Sequence, residues 1–348
     1  MSVAPSLRRA VASLAAGETL SPEAVRAALG EVMEGTAPAT LTAALLLGMR
    51  ARGETDAEVA GAAEALRDAM HRLELPARGL VDTCGTGGGR IGTLNISTAA
   101  AMVVAGAGVP VAKHGNRSFT SRSGSADILE ALGVPIDLPP ERAPEVFAEA
   151  GIVFLFAPTW HPAMRHLAPV RRELGVPTIM NLIGPLANPA GVTRQVVGVA
   201  DPRLGPLIAG ALGRLGSEHA LVVHAEIGLD ELSPVGTSLI WEVEGGAVQP
   251  SRFEPAAFGL ATADLAGTEG GEPADNAAAI VALFEAPRSA PPALRSAVVL
   301  NAAAAIRVSG TVSSMHDAVE RAAAALDGGS ALAVLERLRR ASALRTSG

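Results

Sequence analysis

The chain has 348 residues, 49% of them apolar, and 28 Lys plus Arg against 35 Asp plus Glu give a formal net charge of -7. That length allows two domains or one large one with a substantial core; the mixed, slightly acidic charge argues against a nucleic-acid tail or a basic membrane face. The only cysteine, Cys84, excludes an internal disulfide framework and suits a reducing cytoplasm; no apolar run is long enough to span a membrane, and the N-terminus reads as the start of a helix rather than a signal peptide.

The first 75 residues read as helices. Ser21 caps a helix with Pro22 at its first position. ATLTAALLLGMRARG is a mostly buried helix, and Thr55 with Glu58 forms a capping box for a helix running to about Leu73. The pattern then changes. GLVDT is a short buried strand feeding the turn CGTGGGRIG, in which five of the eight residues from Gly85 to Gly92 are glycine. A helix resumes at about 98–107. VPVAKHG is a second strand, SADILEALGV a helix closed near Gly133, ERAPEVFAEAG another, and IVFLFAP a third strand. TRQVVGVA, HALVVHA and SLIWEVE are further strands. Residues 251–275 read as a polar Gly/Pro-rich connection, and helices follow near 275–286, 292–307, 312–326 and 329–343. The βαβα alternation implies a parallel sheet. The fold expected is a helical N-terminal domain beside a larger α/β domain.

In such sheets ligands bind beyond the carboxyl ends of the strands, and the unusual loops fall there. Glycines expose successive backbone N–H groups, and a following helix start adds positive field, so residues 84–98 read as an anion nest with Asn95, Ser97 and Thr98 as further donors. The loop KHGNRSFTSRSGSAD adds one lysine, two arginines and four serines. Lys113 is the only lysine of the chain; chance and a functional ammonium are both open. Two such loops suit a ligand with several phosphates, although the spacing matches neither the dinucleotide fingerprint nor the P-loop. A pyrophosphate would bring magnesium, and GLDELSP offers Asp230 and Glu231, although adjacent acids are more often just a solvated turn. In RHLAPVRRELG, Arg171 and Arg172 are both available for an aromatic carboxylate. His161 and His166 read as structural or catalytic alike.

These segments, together with FLFAPTWHPAM, NLIGPLANPAG and LNAAAAI, run in one order over most of the chain, and in this they resemble the anthranilate phosphoribosyltransferases. The resemblance implies the nucleoside phosphorylase/phosphoribosyltransferase-like fold, with a central, mostly parallel sheet. It implies a helical domain of residues 1–76 plus about 172–192 that joins two subunits into a homodimer, and a catalytic α/β domain of 77–171 and 193–348. The implied reaction moves a 5-phosphoribosyl group from 5-phosphoribosyl 1-diphosphate to the amine of anthranilate. The donor would be held by Gly85, Gly88, Gly89, Thr93, Asn95, Ile96, Ser97 and Thr98, continuing through Lys113, His114, Gly115, Asn116, Arg117, Ser118, Phe119, Thr120 and Ser121, and closed by Ser125. Anthranilate would meet Gly85, Asn116 and Arg171. Magnesium, two ions per subunit, would be held by Ser97, Asp230 and Glu231. No catalytic acid or base is implied, nor any nucleic-acid or membrane partner. The sequence departs from the family pattern GTGGDG at Gly89 and Arg90, which removes one negative charge and adds one positive, and at Leu94, where many members carry Phe.

Two rivals are weighed against this reading. A pyrimidine nucleoside phosphorylase shares the fold, but GLDEL and NLIGPLANP speak against it. A nucleic-acid-binding relative would show a basic surface, which a net acidic chain does not suggest.

Overall fold

A computed structural model describes residues 3–89, 91–118 and 122–343 of the chain. Four helices come first: α1 (Pro5–Ala15), α2 (Pro22–Met33), α3 (Ala39–Arg52) and α4 (Asp56–Asp68). The caps are those the sequence implies. The Ser21 side chain accepts from the Ala24 N–H, and Thr55 and Glu58 make a reciprocal capping box. Helix α4 ends earlier than its pattern suggests. The chain beyond it extends toward the second domain, where the Leu73 N–H finds the Pro189 carbonyl at 3.0 Å.

The α/β region follows as β1 (Val81–Gly85), α5 (Ile96–Gly106), β2 (Val111–Gly115), α6 (Ser125–Ala131), α7 (Ala143–Ala150), β3 (Ile152–Phe156), α8 (Ala157–Trp160), α9 (Ala168–Leu174), β4 (Arg194–Gly198), α10 (Leu204–Arg214), β5 (His219–Ala225), β6 (Ser238–Glu244) and β7 (Ala247–Phe253). Helices α11 (Pro273–Glu285), α12 (Pro292–Val308), α13 (Met315–Asp327) and α14 (Ser330–Ser342) close the described chain. The sheet order is β3-β2-β1-β4-β5-β6-β7. The first five of these strands are parallel, and β6 and β7 add antiparallel.

Side chains alternate across a strand, so the central strands serve two cores. Val196, Leu221 and Val223 face one, with α5, α12 and the other C-terminal helices. Val197, Val199, Ala220 and Val222 face the other, with α10, helices α1–α4 and residues between Leu167 and Ala187. Helix α12 is buried almost throughout and packs on α5 and α13.

Two elements escape the sequence pattern. Strand β7 is exposed except at Phe253 and contains Pro250. An edge strand tolerates both, since one side of it makes no ladder. Helix α10 carries Gly205 beneath the Trp241 ring and Gly210 against Asp56 of α4; small residues there let it lie close to its neighbours, and they hide its helical signal.

Candidate active site

Strand β1 lies between β2 and β4, with Gly85 opposite Gly198 in register. Beyond its end, Gly87 and Gly88 adopt positive φ of 70° and 84°, a backbone that L side chains resist. Among the described residues nothing lies within 4 Å of where a Cβ would stand on either of them. The turn thus exposes its peptide groups on an open side.

The acid-bearing turn after β5 folds back onto these glycines. A Cβ on Gly198 would overlap the Asp230 carbonyl, so only glycine fits there. The Asp230 carboxylate reaches the glycine turn: its Oδ2 lies 3.3 Å from the Cβ position of Gly85, and its Oδ1 3.0 Å from that of Gly89. Glu231 Oε1 accepts from the Ser97 N–H at 3.2 Å, at the start of α5. Burial raises the Asp230 pKa. Burial, and then the neighbouring Asp230, push Glu231 up to about 8. Two adjacent carboxylates, both only partly exposed, repel each other unless a proton or a cation lies between them.

Asn301 of α12 holds this turn. Its Oδ1 accepts from the Leu232 N–H at 3.0 Å, and its Nδ2 donates to the Leu232 carbonyl at 2.9 Å and to the Ala297 carbonyl at 2.9 Å. Lys113 is 3% exposed. Its ammonium donates to the Thr83 carbonyl and lies 3.5 Å from Ser97 Oγ. Burial lowers its pKa, and the fields of Asp82 and Glu231 oppose that. The lysine therefore sits under β1 among acids rather than on the open side of the turn. Asp82, also buried, accepts from the His114 N–H at 3.2 Å and from Asn188 Nδ2 at 2.8 Å, which holds the end of β2.

The second loop is closed by Asp127, whose Oδ2 accepts from the Ser118 N–H at 3.1 Å and the Gly124 N–H at 2.8 Å. The Arg117 guanidinium is engaged by Asp127 Oδ1 at 3.0 Å and by Glu130 Oε1 at 2.9 Å, so its charge turns toward α6. Ser125 Oγ donates to the Asn116 carbonyl at 3.3 Å. Ile96 is buried, and Thr98 Oγ1 is buried without a partner among the described residues. Phe119, Thr120 and Ser121 lie outside the described residues, as does Arg90. His114 and His161 meet through their Nε2 atoms at 3.2 Å. Burial depresses their pKa values to about 3 and about 4, so both are neutral. The His166 ring covers Gly35, at the end of α2. Arg171, in α9, is half-buried and has no acid partner among the described residues, so burial lowers its pKa uncompensated; Arg172 is exposed.

Residues 8–70 match the helical bundle domain of the glycosyl transferase family, and residues 77–332 match its a/b domain. The anthranilate phosphoribosyltransferase of Rubrobacter xylanophilus is 49% identical over 97% of each chain. The chain belongs to the anthranilate phosphoribosyltransferases. Two solved structures of such enzymes superpose on it. That from Thermus thermophilus has a TM-score of 0.89 at 43% identity, covering 96% of this chain and 99% of its own. That from Saccharomyces cerevisiae, in complex with PRPP and Mg, has a TM-score of 0.87 at 26% identity and covers 97% of each.

Within that family, the position of Gly89 acquires a geometry. Any side chain there would stand against Asp230. Among the described residues no group of three or more His, Cys, Asp or Glu side chains comes together, so the acid site is a pair. The sequence reading missed Asp82, Asn188 and Asn301. Asn301 lies inside the quoted LNAAAAI segment, and a lone asparagine in a run of apolar helix residues is a signal, because a buried amide needs partners.

Proposed function

We propose that the cleft beyond β1, β2, β4 and β5 is where this chain carries out its family's reaction. The activity is that of an anthranilate phosphoribosyltransferase: 5-phosphoribosyl 1-diphosphate and anthranilate give N-(5-phosphoribosyl)anthranilate and diphosphate, the second step from chorismate toward L-tryptophan. The observation that carries this reading is the meeting of Asp230 with the glycine turn, which puts a partly exposed acid pair beside an open run of peptide N–H groups.

The glycine turn from Gly85, with Thr93 and the first turn of α5, binds the diphosphate and ribose phosphate through backbone and hydroxyl donors. Asn116 and Ser118 continue that surface. The adjacent pair Asp230 and Glu231, with the Ser97 hydroxyl, suits a hard divalent cation that keeps some of its waters. We assign them magnesium, in line with the yeast relative solved with PRPP and Mg, and take the number of ions as two per subunit. When bound, magnesium supplies Lewis-acid stabilisation of the leaving diphosphate. Arg171 pairs with the anthranilate carboxylate, and Asn116 directs the amine. The amine nitrogen attacks C1 as the C1–O bond to diphosphate breaks, with inversion. The nitrogen then releases its extra proton to water, since an arylammonium ion is acidic and needs no dedicated base. Catalysis is positioning and charge stabilisation.

Helix α3 carries Leu47 at 47% exposure, and we assign the helical domain as the contact between two subunits of a homodimer. A cytoplasmic location fits the single unpaired cysteine. Among the described residues no helix is long and apolar enough to cross a membrane.

Loss of anthranilate fluorescence on adding donor and magnesium tests the reaction. Consumption that needs both supports it. Phosphorolysis of pyrimidine nucleosides without anthranilate consumption would overturn it.

A further inference from the structure

The connection after β7 returns to the glycine turn as a strap. The Leu94 N–H donates to the Thr268 carbonyl at 2.8 Å, and the Gly270 N–H donates to the Gly92 carbonyl at 2.9 Å. Thr93 and Glu269 thereby form an isolated antiparallel bridge. The approach is backbone to backbone, since a Cβ on Gly270 would lie 2.5 Å from the Thr93 carbonyl oxygen.

One side chain anchors this strap and also reaches past it. Asn276, in the first turn of α11, is 2% exposed. Its Oδ1 accepts from the Gly271 N–H at 2.7 Å. Its Nδ2 donates to Asn95 Oδ1 at 3.2 Å. The Asn95 amide extends the link: its Nδ2 donates to the Ser123 carbonyl at 3.1 Å, and its Oδ1 accepts from the Ser123 hydroxyl at 3.1 Å. The glycine turn, the second loop and α11 thus meet at one amide. Its orientation is determined, because reversing it would set NH2 against NH2 toward Asn276 and oxygen against the Ser123 carbonyl.

We propose that Asn276 is a positioning residue of the donor site: it fixes the Asn95 amide and, through it, holds the two phosphate-facing loops in one arrangement. The inference rests on the reading above that these loops bind the phosphoribosyl donor. A buried asparagine that served packing alone would be less favourable than an apolar residue of its size. Among the described residues, both of its side-chain bonds go to the strap and the glycine turn, and neither goes to its own helix. Loops joined in this way before the donor arrives lose less conformational freedom on binding it.

Asn276→Asp tests this at nearly constant volume. The carboxylate still accepts from the Gly271 N–H, but it cannot donate to Asn95, whose amide must turn and release the Ser123 carbonyl. With the full chain, the expected result is a rise of about tenfold in the donor KM with less than about a twofold change in the anthranilate KM. Hydrogen exchange across residues 91–98 becomes faster. Asn95→Ala raises the donor KM by itself, and adding Asn276→Asp to it gives no further rise. The proposal is overturned if Asn95→Ala raises the donor KM and Asn276→Asp leaves it unchanged. It is equally overturned if Asn276→Asp raises both KM values alike with a lowered melting temperature, which is the mark of a merely structural residue. If Asn95→Ala itself leaves donor binding untouched, the donor-site reading fails and this inference with it. Should Asn276→Asp not accumulate as folded protein, Asn276→Ser removes the same reach to Asn95 without adding charge and carries the same outcomes.

Discussion

The acid turn and the glycine turn face each other across the site, yet they are built in opposite ways. The acid turn is clamped at Leu232 by Asn301 and pressed on Gly198 through the Asp230 carbonyl, with both acids only partly exposed. The glycine turn is tied at its ends, by the Thr86 N–H on the Gly198 carbonyl and by the strap on Leu94, and is open at Gly87 and Gly88. A clamped turn keeps charges where a cation needs them, whereas an open turn of peptide groups can wrap a flexible diphosphate. The comparison teaches that fixed charge and adaptable donors can share one ligand when different elements supply them.

The largest expected effect removes the fixed charge. Asp230→Asn with Glu231→Gln should lower turnover by about 10³-fold. The melting temperature should hold or rise, because burial already disfavours both charges and they repel each other. Steady-state rates at saturating magnesium with thermal melts check it; near-normal turnover would contradict the role of the acid turn.

Gly198→Ala attacks the rigidity of the same turn without touching its charge. The new methyl overlaps the Asp230 carbonyl, so the turn must move. A destabilisation of roughly 3 kcal/mol, the size of an overpacking strain, should come with a sharp loss of turnover. Intact activity would show that the turn is less constrained than the contact implies.

Arg171 lies outside both turns and separates acceptor from donor. Arg171→Ala should raise the anthranilate KM by about 10- to 150-fold, the equivalent of one charged hydrogen bond, and disturb the donor KM far less. Equal wild-type activity toward aniline and anthranilate would count against a carboxylate partner.

The base of the second loop can be probed through His114 and His161. Their folded pKa values, about 3 and about 4, lie below the ordinary 6.5. Between about pH 6.5 and pH 4 the unfolded chain therefore binds protons that the folded chain does not, and stability should fall as pH drops through that window. Thermal melts against pH should show an acid limb that His161→Gln makes shallower. An unchanged limb would mean that the pair is not what limits acid stability.

The smallest effect belongs to the open turn. Gly88→Ala meets no neighbour among the described residues but must adopt φ near 84°, which costs about 1 kcal/mol. A slight fall in melting temperature with a few-fold rise in donor KM is expected. An effect as large as that of Gly198→Ala would erase the contrast between the two turns.

Much of this protein was legible in one dimension, because helix caps, strand runs and turns depend on neighbours in sequence. Ser21 and Thr55 marked helix starts, GLVDT and IVFLFAP marked strands, and the glycine turn and the Asp230–Glu231 pair stood out as groups unsuited to a core. The departure at Gly89 was also visible, though not what it faces. What the tertiary structure alone decided concerns pairs far apart in the chain. It set Asp230 against Gly198 and Gly89, buried Lys113 under β1, turned Arg117 to α6, and placed Asn276 on Asn95, a residue 181 positions away. It also made a strand of residues 247–253, whose partner β6 supplies the ladder that their own polar composition does not announce. Local pattern restricts backbone conformation within a few residues, whereas a hydrogen bond between distant side chains exists only once the sheet and its covering helices have brought both ends together.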